Sequence, residues 1–95
     1  MTKTEKLKDK AIRHALTLAC EQAKDKVAGF SWLTHQANLK QLPQSLTVQC
    51  YFTDAHSLAQ ARDKQTLACV VELVVTELAN IGYHVKPDAV SFTSE

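Results

Sequence analysis

"GFSWLTHQANLKQLPQSLTVQCYF", residues 29–52, is the stretch on which the fold turns. It begins and ends in runs of period two. In the first, Phe30, Trp32 and Thr34 alternate with Ser31, Leu33 and His35. In the second, Leu46, Val48, Cys50 and Phe52 alternate with Thr47, Gln49 and Tyr51, giving one apolar and one mostly polar face. Successive side chains of a strand point to opposite faces, so both runs predict strands, the second more cleanly. The segment between them, "QANLKQLPQ", is short enough for an antiparallel connection. Pro43 would remove a ladder hydrogen bond inside a strand, which assigns it to that connection. Trp32 and Phe52 are expected to be core anchors that face the helices.

Upstream the period is three and four. Ile12, Leu16, Ala19, Cys20, Ala23 and Val27 share one helical face and predict a helix over about residues 4–27, with Gly29 placed for a left-handed cap. Downstream, Thr53 or Asp54 can cap a helix that starts in "TDAHSLAQA". "RDKQ" breaks the apolar rhythm and predicts a bend or a second helix start. Leu67, Val70, Val71, Val74, Leu78 and Ile81 then form a strong helical stripe. Gly82 ends it, and Pro87 prevents resumption. "AVSFT" predicts a short last strand with Val90 and Phe92 facing in. The order α-β-β-α-α-β describes an α+β domain with a mixed three-stranded sheet and helices on one face. A right-handed crossover would make the last strand parallel to the second.

A chain of 95 residues is expected to form one domain, residues 1–95, with an adequate but not generous core. The composition, 45% hydrophobic and 22% charged, is that of a globular chain and excludes wholesale disorder. A formal net charge of +1 carries no global signal for a polyanion. The charges are unevenly placed, however. Residues 1–13 hold five cations against two carboxylates, and residues 66–95 hold Lys86 against four carboxylates. The charged, helical start has no apolar core of a secretory signal, and the longest apolar run, residues 67–71, is too short to span a bilayer. Three widely spaced cysteines fit a reducing cytoplasm better than a disulfide framework.

The element order resembles that of the type II KH fold and of the BolA family, a variant of it, over roughly residues 10–93. That resemblance implies a small nucleic-acid-associated module. The motifs depart from it. A KH domain grips the nucleic-acid backbone with a GXXG loop between adjacent helices, where this chain has "ARDKQ", without a glycine to let backbone approach phosphate. BolA proteins carry an RHR-like signature, and the nearest match here is Arg62-Asp63-Lys64. The local wording "GFSWLTHQAN…LPQSLTVQCYF" is similar to a group of small uncharacterised bacterial proteins with a "WLTH…P.SL.V.C.F" core, some labelled as Fis-type regulators. Fis itself is all-helical and ends in a helix-turn-helix, unlike the order here. Relatives in that group are expected to continue beyond the point that corresponds to residue 95.

Candidate sites follow from the side chains. Lys3, Lys6, Lys10 and Arg13 are spaced three, four and three, so they form one stripe of the first helix. With Lys40 in the 36–44 connection, they are the candidates for phosphate contact. The plainer alternative is a solvated helix face with Glu5 and Asp9 as local partners. His35, at the end of the first strand, is a candidate functional polar residue or a structural hydrogen-bonding group. Cys20 and Cys50 fall on core faces. Cys69 falls on a polar stripe with Gln65, Glu72, Thr76 and Asn80, where Glu72 would disfavour its thiolate. The helix over 67–81 has a wider apolar arc than one sheet needs. Ala68, Val75 and Ala79 extend that arc and form a candidate dimer patch. Tight Cys/His pairs, paired carboxylates, triad order and a phosphate loop are all missing from the sequence pattern. No metal, cofactor or enzymatic activity is therefore expected. The expectation is a non-enzymatic binding or adaptor module, associated with nucleic acid or ribonucleoprotein. The alternative is a protein-interaction module that dimerises through its helical layer.

Overall fold

Apolar spacing of three and four carries the first helix, α1 (Lys3–Lys26), which buries Ile12, Ala15, Leu16, Ala19 and Ala23. The computed structural model describes residues 3–38, 40–42 and 44–95. Pro43, assigned to the connection above, lies outside the described residues. The first buried residue of α1 is Ile12, so the preceding turns add nothing to the core. A 24-residue helix is about 36 Å long, which accounts for the elongated 42 × 22 × 21 Å shape. The chain turns at Gly29, whose φ of +83° is open to a residue without a Cβ.

Strands β1 (Phe30–Gln36) and β2 (Thr47–Phe52) pair antiparallel. Phe30 pairs with Phe52, and Trp32 with Tyr51, so one extra residue, Ser31, is inserted in β1. This bulge reverses the parity of everything after it. Before it, Phe30 points into the core and meets Phe52 edge to face, centroids 5.8 Å apart. Beyond it, Leu33 and His35 oppose the inward residues Cys50 and Val48, while Trp32, Thr34 and Gln36 point outward. Trp32 is therefore not a core anchor. It is 42% exposed, on the face of the sheet opposite the helices, whereas Phe52 is fully buried.

The chain then enters α2 (Ala55–Asp63), capped by Asp54, whose Oδ1 accepts from the Ser57 amide at 2.7 Å. Lys64 and Gln65 separate it from α3 (Thr66–Asn80), with Gln65 in the left-handed region at φ 60°. This is the second helix start that "RDKQ" predicts. The end of α3 closes at Gly82, φ +91°, where the Tyr83 amide donates to Leu78 O and the Gly82 amide to Ala79 O. A short 3-10 turn, Pro87–Ala89, leads into β3 (Val90–Ser94), which pairs parallel with β2 from Val48↔Val90 to Phe52↔Ser94.

The sheet order is β1-β2-β3, a mixed sheet with the helices on one face. The core lies between Val48, Cys50 and Phe52 of the central strand and Ile12, Leu16 and Ala19 of α1 with Val70, Val74 and Leu78 of α3. The opposite face carries Trp32, Thr34, Gln36, Thr47, Gln49 and Ser91, all exposed. Among the described residues, no helix is long and apolar enough to cross a membrane.

Candidate functional site

The path of the chain brings three separate segments to one end of the molecule. His35 Nε2 lies 3.8 Å from Asp9 Oδ1, which sets the end of β1 against the first turns of α1. Gln22 Nε2 donates to Glu77 Oε1 at 3.3 Å, which sets α3 alongside α1. β2 and β3 are parallel, so both begin there, and residues 84–89 lie against Gln44 and Leu46. The cations gathered at this end are Lys3, Lys6, Lys8, Lys10 and Arg13 of α1, Lys40 of the 37–46 segment and Lys86 before β3. These seven face only Glu5, Asp9 and Asp88, while the other end holds four cations against seven carboxylates. Folding thus makes a bipolar molecule, with a basic end from which a polyanion can be held.

Each predicted phosphate-contact residue, Lys3, Lys6, Lys10, Arg13 and Lys40, is solvent-exposed. Arg13 Nε sits 2.9 Å from Asp9 Oδ2, a surface pair of small net worth. The first turn of a helix favours negative charge. Lys3 and Lys6 work against that field, so helix stability does not account for them. Lys40 stands on a tied turn. Its amide donates to Asn38 Oδ1 at 3.0 Å, and Ser45 Oγ donates to Asn38 O at 2.9 Å. Lys86 belongs by sequence to the acidic C-terminal third, and the parallel pairing of β3 moves it to the basic end.

His35 is half-buried at the seam of α1 and β1. Its bank of the seam is a groove of about 420 Å³ lined also by Arg13, Leu16, Thr17, Cys20, Glu21, Lys24 and Leu33. With Asp9 beside it, the imidazole closes one end of that seam. Among the described residues, no group of three His, Cys, Asp or Glu side chains is placed to hold a metal ion. All three cysteines are free. Burial pushes the Cys50 thiol up to about 12, with the neighbouring Cys20 adding to the rise. Cys69 is half-buried and packs against the core cluster, in the furrow where Leu73 and Glu77 of α3 meet Gln22 and Lys26 of α1. Ala68, Val75 and Ala79 occupy the other flank of α3, turned from α1. Ala68 is exposed, and Val75 and Ala79 are half-buried.

The helix-free face of the sheet is the part that sequence reasoning missed. Trp32 and Tyr51 stack with centroids 4.1 Å apart and planes 7° from parallel. Glu95 Oε1 accepts from Ser31 Oγ at 2.8 Å and from Trp32 Nε1 at 2.5 Å. Beside this pair lies a shallow depression of about 160 Å³ lined by Thr34, Gln36, Thr47, Gln49, Tyr51 and Ser91. Its signal in the sequence is the adjacent pair Trp32-Leu33. Two large apolar residues in a row cannot both face the core of a one-sided sheet.

No family model matches this chain, and no curated protein or solved structure matches it either.

Proposed function

We propose that the chain is a non-enzymatic binding module whose partner is the sugar–phosphate backbone of a nucleic acid, held at the basic end. The observation that supports this most is the convergence of Lys3, Lys6, Lys10 and Arg13 with Lys40 and Lys86, from three segments, at one end of a chain whose net charge is only +1. Phosphate contact needs cations in reach and no base-specific geometry. The α-β-β-α-α-β order resembles the type II KH fold, but the turn between α2 and α3 holds Gln65 rather than a glycine loop. Contact is therefore assigned to the long side chains of α1 and not to backbone amides at that turn. The test is retention of the wild-type protein on DNA and RNA across a salt series. Binding at about 50 mM salt that falls steeply by about 200 mM is expected. No retention at low salt on either nucleic acid refutes the reading.

A further inference from the structure

We propose that the nucleic acid taken is single-stranded, and that one of its bases stacks on Trp32 on the helix-free face of the sheet. This rests on the backbone-binding reading of the basic end. It adds which form of nucleic acid binds and where its bases go.

Trp32 is the most exposed aromatic ring of the protein's sheet, at 42%. Tyr51 covers one face of the indole. The Glu95 carboxylate holds the indole N–H and the Ser31 hydroxyl, so the ring is fixed in place before any ligand arrives. A fixed ring loses little conformational freedom when a second flat ring stacks on it. Every base has such a face, and stacking on aromatic side chains is how sequence-tolerant single-strand binders hold bases.

The route from the basic end to this ring is continuous. Gln36 and Thr34 of β1 and Thr47 and Gln49 of β2 share the outward face and lead from the Lys40 segment to the Trp32–Tyr51 pair. Gln36 and Trp32 are four residues apart, about 13 Å along a strand. Amide and hydroxyl groups both donate and accept, which suits base edges. The outward strand residues Trp32, Thr34, Gln36, Thr47, Gln49 and Ser91 include no cation. The face therefore offers contacts to bases rather than to phosphates, and only the stretch of strand that reaches the basic end has its phosphates neutralised there. A duplex keeps its bases stacked on one another, so only an unpaired strand can offer one to Trp32.

Trp32 is the single tryptophan of the chain, so its fluorescence reports this site alone. The wild-type protein is titrated at low salt with dodecathymidylate, with a 12-base-pair duplex and with a linear glucose oligomer. Dodecathymidylate is expected to quench the fluorescence and to bind more tightly than the duplex. Trp32→Ala is expected to weaken its binding by about 5- to 150-fold. Should that variant fail to fold, quenching of the wild type decides alone. Binding without quenching, equal for single strand and duplex and unchanged in a folded Trp32→Ala, overturns the stacking and leaves the backbone reading in place. Quenching by the glucose oligomer but not by the oligonucleotide also overturns it, since the face then serves a neutral ring. No binding of either nucleic acid removes both.

Discussion

Gly29 and Ser57 meet where no further side-chain atom fits between them. A Cβ at position 29 would overlap Ser57 Cβ and stand 2.7 Å from Ser57 Oγ. The contact pins the turn after α1 to the first turn of α2, and the Thr53 amide donates to Gly29 O at 2.9 Å across the same junction. Gly82 is the natural control. It shares a positive φ, +91° against +83°, but a Cβ there would meet nothing within 4 Å. Gly82→Ala is expected to cost only the left-handed strain, about 1–2 kcal/mol. Gly29→Ala carries the same strain plus the displacement of Ser57 and is expected to cost clearly more in denaturant unfolding. Equal costs would show that α2 yields freely at Ser57.

The bulge at Ser31 makes a second contrast. Trp32→Ala removes a cross-strand pair on an open face and is expected to cost about 1 kcal/mol or less. Phe52→Ala empties a fully buried site between Phe30 and Phe92 and is expected to cost about 3–5 kcal/mol. Urea midpoints at unchanged slope measure both. A Trp32→Ala cost as large as that of Phe52→Ala would mean the indole is buried.

These two residues also show how far the sequence can be read. The order of elements, the mixed sheet, the Asp54 cap and the Gly82 stop follow from local rules: period, capping chemistry and chain reversal. Trp32 does not, because alternation assigns faces only while the register holds, and one inserted residue reverses them. Phe30 and Phe52 fit their assigned face; Trp32, two residues past Phe30, does not. The basic end is half legible. The stripe of α1 is a property of one helix, whereas the arrival of Lys86 beside it needs both the parallel β3 that the crossover rule predicts and the packing of α1 against the sheet, which is tertiary. The neighbourhood of His35 and Asp9, 26 positions apart, is equally tertiary.

Cys50 should be chemically silent in the folded protein. Its thiol is buried and pushed up to about 12, so almost no thiolate exists near neutral pH. Under native conditions a thiol reagent is expected to label the half-buried Cys20 and Cys69 and to spare Cys50 until denaturant is added. The folded thiol holds its proton more tightly than the unfolded one, whose ordinary value is about 8.5. Its contribution is complete below that value and is lost as pH rises through it towards 12. Cys50→Ala is expected to flatten this alkaline decline. Labelling of Cys50 at the rate of Cys20 would contradict the burial.

Asp54 acts at the other end of the pH scale. The Ser57 amide, then the Ser57 hydroxyl, hold its carboxylate below the ordinary aspartate range. A lowered folded value means the cap stabilises α2 fully above the unfolded value of about 3.9 and is lost as pH falls through the lower folded one. Asp54→Asn keeps an acceptor for the amide but no charge. It is expected to retain most of the neutral-pH stability and to remove part of the acid-side decline. Identical acid limbs for wild type and Asp54→Asn would show that the cap does not titrate with folding.

The basic end makes a prediction in which position matters more than charge. Replacing Lys3, Lys6, Lys10 and Arg13 with glutamine is expected to weaken binding to every nucleic-acid sequence alike, because phosphate contacts carry no sequence information. It should also flatten the dependence of log affinity on log salt by up to about 0.7–0.9 for each phosphate no longer neutralised. Adding Lys40→Gln and Lys86→Gln extends the loss if the three segments act as one surface. Lys24→Gln with Lys26→Gln removes two charges from α1 at the far end, beyond Ala23, and is the control for net charge. Folding is expected to change little in either set, since all of these side chains are exposed and surface substitutions usually lie within about 0.5 kcal/mol each. Electrophoretic mobility shifts over a salt series read the outcome. If, charge for charge, the far-end pair lowers affinity and slope as much as the near-end set, net charge alone governs binding. The gathering of Lys40 and Lys86 beside α1 then has no part in it.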